Sequence, residues 1–144
     1  MFGRTVTIFS KHHDTWYPRV FNDTQVSQDR GYIKRTYGET ANETVSVHVK
    51  RKNGKAEGLY DVYEPKAWSE LQSVDGAICF NTVDTGCLLW LGDYSTIDED
   101  LEPIADASVP KGFYSYFRGE HDNVYALTQV ATFVEIPHWE IAGR

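Results

Sequence analysis

One tripeptide of this chain has the form of a catalytic motif: Asp84-Thr85-Gly86, which follows the apolar Val83. Aspartic proteases need two such carboxylates about 3 Å apart, sharing one proton, so a chain with one motif would have to dimerise. The later hydrophobic-Gly element would have to be residues 89–92, which leaves no room for the intervening sheet. Asp-Thr-Gly is also ordinary turn chemistry. We therefore interpret the tripeptide as a turn.

Five histidines offer imidazoles that could hold a metal ion or act as general bases. His12 and His13 are adjacent, so their side chains should point apart, and no second cluster with ligand spacing follows. His48 lies one residue out of step with the valines around it, so we expect it on the solvent side. His121 lies in a polar turn, and His138 follows a proline. Motifs for a serine nucleophile or a phosphate loop are missing, so the sequence predicts no catalytic, cofactor or metal residue.

The composition indicates a folded, acidic domain. Of its 144 residues, 14% are aromatic and 41% hydrophobic, which favours a packed core over disorder. The net charge of −7 disfavours general nucleic-acid binding. No run of about 18 apolar residues predicts a membrane helix, and the start alternates like a strand, so we expect a cytoplasmic origin. Cys79 and Cys87 are too few for a disulfide framework and are expected to be reduced.

Alternation of polar and apolar residues predicts a hairpin in the first half of the chain. Three valines should share one buried face: Val45, Val47 and Val49. The following Asn53-Gly54 supplies the two positive-φ residues of a tight hairpin turn. We expect the return strand to run through residues 59–63, which would make residues 44–63 a long hairpin arm.

The remaining segments predict more strands, one helix and one long loop. Strands are expected over residues 4–10, 16–21, 32–37, 77–83, 87–91, 113–118 and 123–136, with 77–83 and 87–91 forming a second hairpin. Pro65 suits the first position of a one- or two-turn helix over residues 65–71. Residues 92–110 are acidic and lack a period, so they predict a surface excursion. The chain is therefore expected to be one domain over residues 1–144, all-β and mainly antiparallel: a small β-barrel or β-sandwich with long loops and one short helix.

Two charged segments are candidate interface sites. The "basic turn" comprises Lys50, Arg51, Lys52, Asn53, Gly54 and Lys55, and the "acidic loop" contains Asp98, Glu99, Asp100 and Glu102. Ordering each residue costs about 1–2 kcal/mol of backbone entropy, and burial against a neighbouring subunit would offset that cost. A merely solvated turn is the alternative for the basic group.

Five short segments stand out, in chain order: TVTIFSK (residues 5–11), WYPRV (16–20), YEPKAW (63–68), LGDY (91–94) and HWEIAGR (138–144). Together they resemble small structural proteins of tailed phages from gut Firmicutes. The last is similar to the closing His-Trp-Glu-Val-x-Gly-Lys/Arg of that family. The chain departs from the family in its two cysteines and in the insertion-like residues 96–110.

The resemblance implies a non-enzymatic virion protein. It would be a head–tail connector of the head-completion or head-closure type, forming a ring that joins the portal to the tail. The implied partners are other copies of the chain, the portal or adaptor, and the tail-side neck proteins, with DNA passing through without sequence-specific binding. The implied location is the head–tail junction of the virion. An acidic channel surface would keep passing DNA from sticking.

Two other functions stay open at this point. A tail-completion or tail-terminator protein is also a small β domain that forms a ring. A carbohydrate-binding β-sandwich would instead use exposed aromatic rings as stacking platforms. Such a protein should leave at least two aromatics, such as Trp16, Trp68 or Trp90, exposed in a groove.

Overall fold

The computed structural model describes residues 3–31, 42–133 and 137–144. Within these ranges the strands are β1 (Arg4–His12), β2 (Thr15–Gly31), β3 (Asn42–Lys52), β4 (Lys55–Ala56), β5 (Asp61–Val62), β6 (Ala77–Ile78), β7 (Cys87–Trp90), β8 (Ile104–Ala105), β9 (Val124–Phe133) and β10 (His138–Gly143). The helices are α1 (Pro65–Glu70) and α2 (Phe113–Glu120), with 3₁₀ turns at Tyr94–Thr96 and Asp106–Ser108. No helix in these ranges is long and apolar enough to span a membrane.

Six strands close into an antiparallel barrel in the order β1-β2-β3-β10-β9-β7. The length of β2 makes closure possible, because its first part pairs with β1 and its second part, from Gln25 on, pairs with β3. Between Arg4 and Val6 of β1 the pairing register with β2 shifts, which marks a bulge. Because bulges bend strands, β2 can leave β1 at this point. The prediction of an all-β, mainly antiparallel small barrel is confirmed.

The barrel interior is filled by the alternating apolar residues of its strands. In β3 and β10 the buried hydrophobic side chains are Val45, Val47, Val49, Trp139 and Ile141. The buried valine face was predicted from the sequence and is confirmed. Because successive side chains of a strand point to opposite faces, His48 and Glu140 lie on the outer face of the same two strands.

Strand β1 is buried on both faces, because residues 93–121 form an "outer layer" over it. The ring centroid of Phe9, on the outer face of β1, lies 5.2 Å from those of Tyr94, Phe113 and Phe117. All four rings are buried. The predicted acidic excursion, residues 92–110, is therefore attached to the barrel through its own Tyr94, and α2 attaches beside it through Phe113 and Phe117.

A smaller core lies beneath α1. Trp68 is buried there with Val74, Ala77 and Cys79, and its indole Nε1 donates to the Lys11 carbonyl at 2.8 Å. The predicted short helix starting at Pro65 is confirmed.

The predicted strand over residues 113–118 is wrong, because this segment forms α2. Its aromatic content favours a strand intrinsically, but that preference depends strongly on context. Phe113 and Phe117 are four residues apart, so a helix places both on one face, where they pack on Phe9. Burial of that face outweighs the intrinsic preference.

The first predicted hairpin is only partly right. Asn53 and Gly54 form the expected tight turn, with φ values of 55° and 77°. However, only Lys55–Ala56 pair back onto β3, so the long return strand is wrong. The edges of β3 are instead paired with β10 and β2 within the barrel, and residues 44–52 are a barrel strand, not half of a projecting arm.

The second predicted hairpin is wrong. β6 pairs in parallel with β5, whereas β7 lies between β1 and β9. The predicted strand over residues 32–37 lies outside the described residues, as do residues 134–136.

Candidate functional site

The basic turn joins β3 to β4, and its cations contact the surrounding surface. Lys50 Nζ donates to the Asp23 carboxylate at 2.6 Å, and this bond lowers the pKa of Asp23. The Arg51 guanidinium lies 5.4 Å from the centroid of the Trp139 ring. Lys52 is exposed. The turn is therefore a positively charged surface between β3 and the two-residue β4.

The acidic loop lies in the outer layer, just before β8. The Asp98 carboxylate accepts hydrogen bonds from the backbone N–H groups of Asp100 at 3.1 Å and Glu102 at 3.0 Å, so Asp98 shapes the loop. Glu99, Asp100 and Glu102 are exposed. Over residues 3–31, 42–133 and 137–144, no ion pair joins this loop to the basic turn.

Asp84-Thr85-Gly86 forms a turn, as predicted. Asp84 and Thr85 have φ values of 55° and 52°, and Gly86 N–H donates to the Val83 carbonyl at 3.1 Å. Asp84 is exposed. The motif is explained by turn geometry.

His12 and His13 have a structural explanation. The expectation that their side chains point apart is wrong, because the chain turns at His13, which has a φ of 49°, and the ring centroids are 4.1 Å apart. His13 Nε2 lies 2.9 Å from the Ser69 carbonyl oxygen, which connects the β1–β2 turn to α1. Burial, followed by the charge of His13, lowers the pKa of His12. The His121 ring packs against Phe117, with centroids 4.3 Å apart. Ring packing and a hydrogen bond to the backbone thus account for three of the five histidines.

The other two histidines meet at a cluster that the sequence analysis missed. Glu140 of β10 is the direct cross-strand partner of His48 in β3, and His138 lies two residues before Glu140 on the same face. His48 Nε2 is 3.6 Å from Glu140 Oε1, and His138 Nε2 is 4.0 Å from Glu140 Oε2. Residue patterns placed His48 outward but could not show that β3 pairs with β10.

Aromatic stacking orients the two imidazoles. The rings of His48 and His138 are stacked with centroids 5.0 Å apart and planes at 18°. Phe133 of β9 stacks on His138 at 4.7 Å and 5°. The cluster lies between two open depressions of about 440 Å³ and 450 Å³: His48 and His138 line the first, and Glu140 and Phe133 line the second. Among the residues that the structure describes, His48, His138 and Glu140 form the one group of three side chains placed closely enough to hold a metal ion.

Comparison with protein-family models, with curated proteins and with solved structures finds no match for this chain.

Proposed function

We propose that this chain is a non-enzymatic virion protein of a tailed phage, a head–tail connector of the head-completion or head-closure type that forms a ring between portal and tail. The support is of two kinds: the five short segments that resemble such proteins, and the edges and charges of the barrel. The partners would be other copies of the chain, the portal or adaptor, and the tail-side neck proteins.

The main structural support for the proposal is the exposed last part of β9, residues 128–133. β7 pairs with β9 only over Val124–Ala126, so from Leu127 onward β9 pairs only with β10 among the described strands. The side chains of residues 128–133 are all exposed, and among them Val130 and Phe133 are 42% and 43% exposed. An unpaired strand edge with exposed apolar side chains is a surface to which another chain can add a strand. A neighbouring copy in a ring would cover it.

The two charged segments lie at opposite ends of the strand order. In the strand order of the sheet, β4 and β8 are the two end strands. The basic turn leads into β4, and the acidic loop leads into β8. A ring needs two different, complementary surfaces on each copy. The basic turn of one copy against the acidic loop of the next would meet this requirement.

The overall charge is compatible with a channel for DNA. The net charge of −7 repels the phosphate backbone, so DNA would pass without binding. The protein would be assembled in the host cytoplasm and reside at the head–tail junction.

The alternatives differ in how well they fit. A tail-completion or tail-terminator protein would use the same edges and charges. A carbohydrate-binding surface is disfavoured, because Trp16 and Trp68 are only 2% and 3% exposed. Trp90 is partly buried, and its ring packs against Phe117 with centroids 5.1 Å apart. The expected stacking platform is therefore not formed by these tryptophans.

The experiment is a stop codon in this gene, in the phage that encodes it, with complementation from a plasmid. The proposal expects separate heads and tails of normal length, and joined particles on complementation. Tails of unregulated length would favour a tail terminator. Normal yields of joined, DNA-retaining particles without the protein would refute a connector role.

A charge swap tests the contact surfaces. Lys52→Glu and Glu99→Lys should each reduce joined particles, whereas the double variant should restore them, because opposite charges would again face each other across the interface. Lys66→Glu is the matched control, since it makes the same charge change on the exposed face of α1. Equal losses for the double variant and the single variants would contradict the proposed pairing.

A further inference from the structure

The outer face of β3 and β10 presents three side chains that metal ions commonly bind. His48, His138 and Glu140 each offer one ligand atom, and these atoms all lie within 4.8 Å of one another. The strand register fixes this arrangement, because His48 and Glu140 are direct partners and His138 is two residues away on the same face. The backbone pairing thus brings the three side chains to one place on the surface.

The separations are close to those of a metal centre. Zn²⁺ binds imidazole nitrogen and carboxylate oxygen at about 2.0–2.2 Å, which sets neighbouring ligand atoms of a tetrahedral site roughly 3.3 Å apart. The distances from Glu140 to His48 and His138 are 3.6 Å and 4.0 Å. Small side-chain rotations would close the difference, and they are accessible because the His48 and Glu140 side chains are 41% and 39% exposed.

The surroundings favour a cation. Phe133 stacks on His138 and limits the orientations of that ring. Lys50 is the cross-strand partner of His138, but its ammonium group donates to Asp23 at 2.6 Å, so its charge is largely compensated. Glu140 supplies the negative charge that a site of neutral imidazoles needs.

We propose that His48, His138 and Glu140 bind one divalent transition-metal ion, with Zn²⁺ as the best-suited ion. Two imidazoles and one carboxylate suit Zn²⁺, and three protein ligands leave a fourth position for water or an outside ligand. The bound ion connects β3 to β10 across the outside of the barrel. This site is independent of the connector role, and its test requires no phage particle.

The test uses the full chain without a polyhistidine tag, stripped of metal with a chelator. Isothermal titration with Zn²⁺ should show one equivalent bound in the micromolar range, and Co²⁺ should give the visible absorbance of a tetrahedral site. Losing an outer-shell partner costs about 10–100-fold in affinity, so losing a ligand through His48→Ala, His138→Ala or Glu140→Gln should cost at least as much. Saturating Zn²⁺ should raise the Tm by roughly 5–10 °C.

His13→Asn is the matched control, because it removes an imidazole outside the cluster and asparagine tolerates the positive φ of 49° at that position. Glu140→Gln preserves side-chain size, so folding of this variant is not in question. Binding that survives in all three cluster variants, or is lost with His13→Asn, would overturn the assignment. A wild-type chain that binds less than one equivalent of Zn²⁺ at saturation would also overturn it.

Discussion

Asp106 connects the outer layer to the barrel, and its replacement should loosen that layer. Asp106 Oδ1 accepts one hydrogen bond from Trp16 Nε1 at 2.9 Å and another from the backbone N–H of Phe113 at 3.0 Å. Trp16 belongs to β2, whereas Phe113 begins α2. We expect Asp106→Ala to destabilise the protein by removing both contacts at once.

The size of the effect follows from the two donors. Leaving the N–H of Trp16, which is buried, without an acceptor costs about 1–3 kcal/mol. Losing a side-chain acceptor at a helix N-terminus costs about 0.5–2 kcal/mol. The Asp106 side chain is 30% exposed, so water replaces part of this loss. We therefore expect about 2 kcal/mol, which corresponds to a decrease in Tm of roughly 5–8 °C.

The measurement is urea unfolding followed by tryptophan fluorescence, with thermal unfolding beside it. Asp100→Ala is the matched control, because it removes an exposed carboxylate from the same outer layer and should change stability by less than about 0.5 kcal/mol. Equal urea midpoints for Asp106→Ala and Asp100→Ala would refute the structural role assigned to Asp106.

The same contacts predict how stability depends on pH. The hydrogen bond from Trp16, followed by that from Phe113, lowers the pKa of Asp106 in the folded protein. The ionised carboxylate therefore stabilises the fold above its unfolded pKa of about 3.9. This contribution is lost as the pH falls through the lowered folded-state pKa. The stability difference between the wild type and Asp106→Asn should shrink over that acidic range, and a difference independent of pH would contradict the assignment.

Two further predictions concern the two cysteines and a pair of glycines. Burial raises the pKa of Cys79 to about 12 and also raises that of Cys87, so both thiols should react slowly with a maleimide in the native state and rapidly in urea. Mass spectrometry measures the extent of labelling. Rapid labelling of the native protein, or a native disulfide, would contradict this prediction. A Cβ at Gly143 would lie 2.9 Å from the Tyr125 Cβ, so Gly143→Ala should cost about 1–3 kcal/mol. Gly119→Ala is the comparison variant, because a Cβ at this position of α2 meets nothing within 4 Å, and it should stabilise the protein by about 0.5–1 kcal/mol. Equal Tm values for Gly143→Ala and Gly119→Ala would contradict the predicted steric clash at Gly143.

The local parts of the fold could be predicted from the sequence. Alternating valines in β3 and the pair Trp139 and Ile141 in β10 have period 2, and this period is a property of neighbouring residues. The Asn53-Gly54 turn is equally local. These local signals are enough to predict an all-β fold and the outward orientation of His48.

The non-local parts could not be predicted. Whether Phe113 belongs to a strand or a helix depends on Phe9, about a hundred residues away in the chain, because that ring receives the helix face. The metal-binding cluster likewise depends on which strands are neighbours. His48 and Glu140 come together only because β3 pairs with β10 in one register, and no pattern within either strand specifies its partner.

The position of β10 in the barrel has a consequence for synthesis on the ribosome. β10 lies between β3 and β9, so the barrel cannot close before residues 138–143 have left the exit tunnel. Until then the nascent chain presents the edges of two long strands without their common partner. Such edges invite association with other chains. The speed of translation through residues 138–143, and the chaperones that reach the chain before β10 emerges, should therefore affect how much folded protein a cell makes.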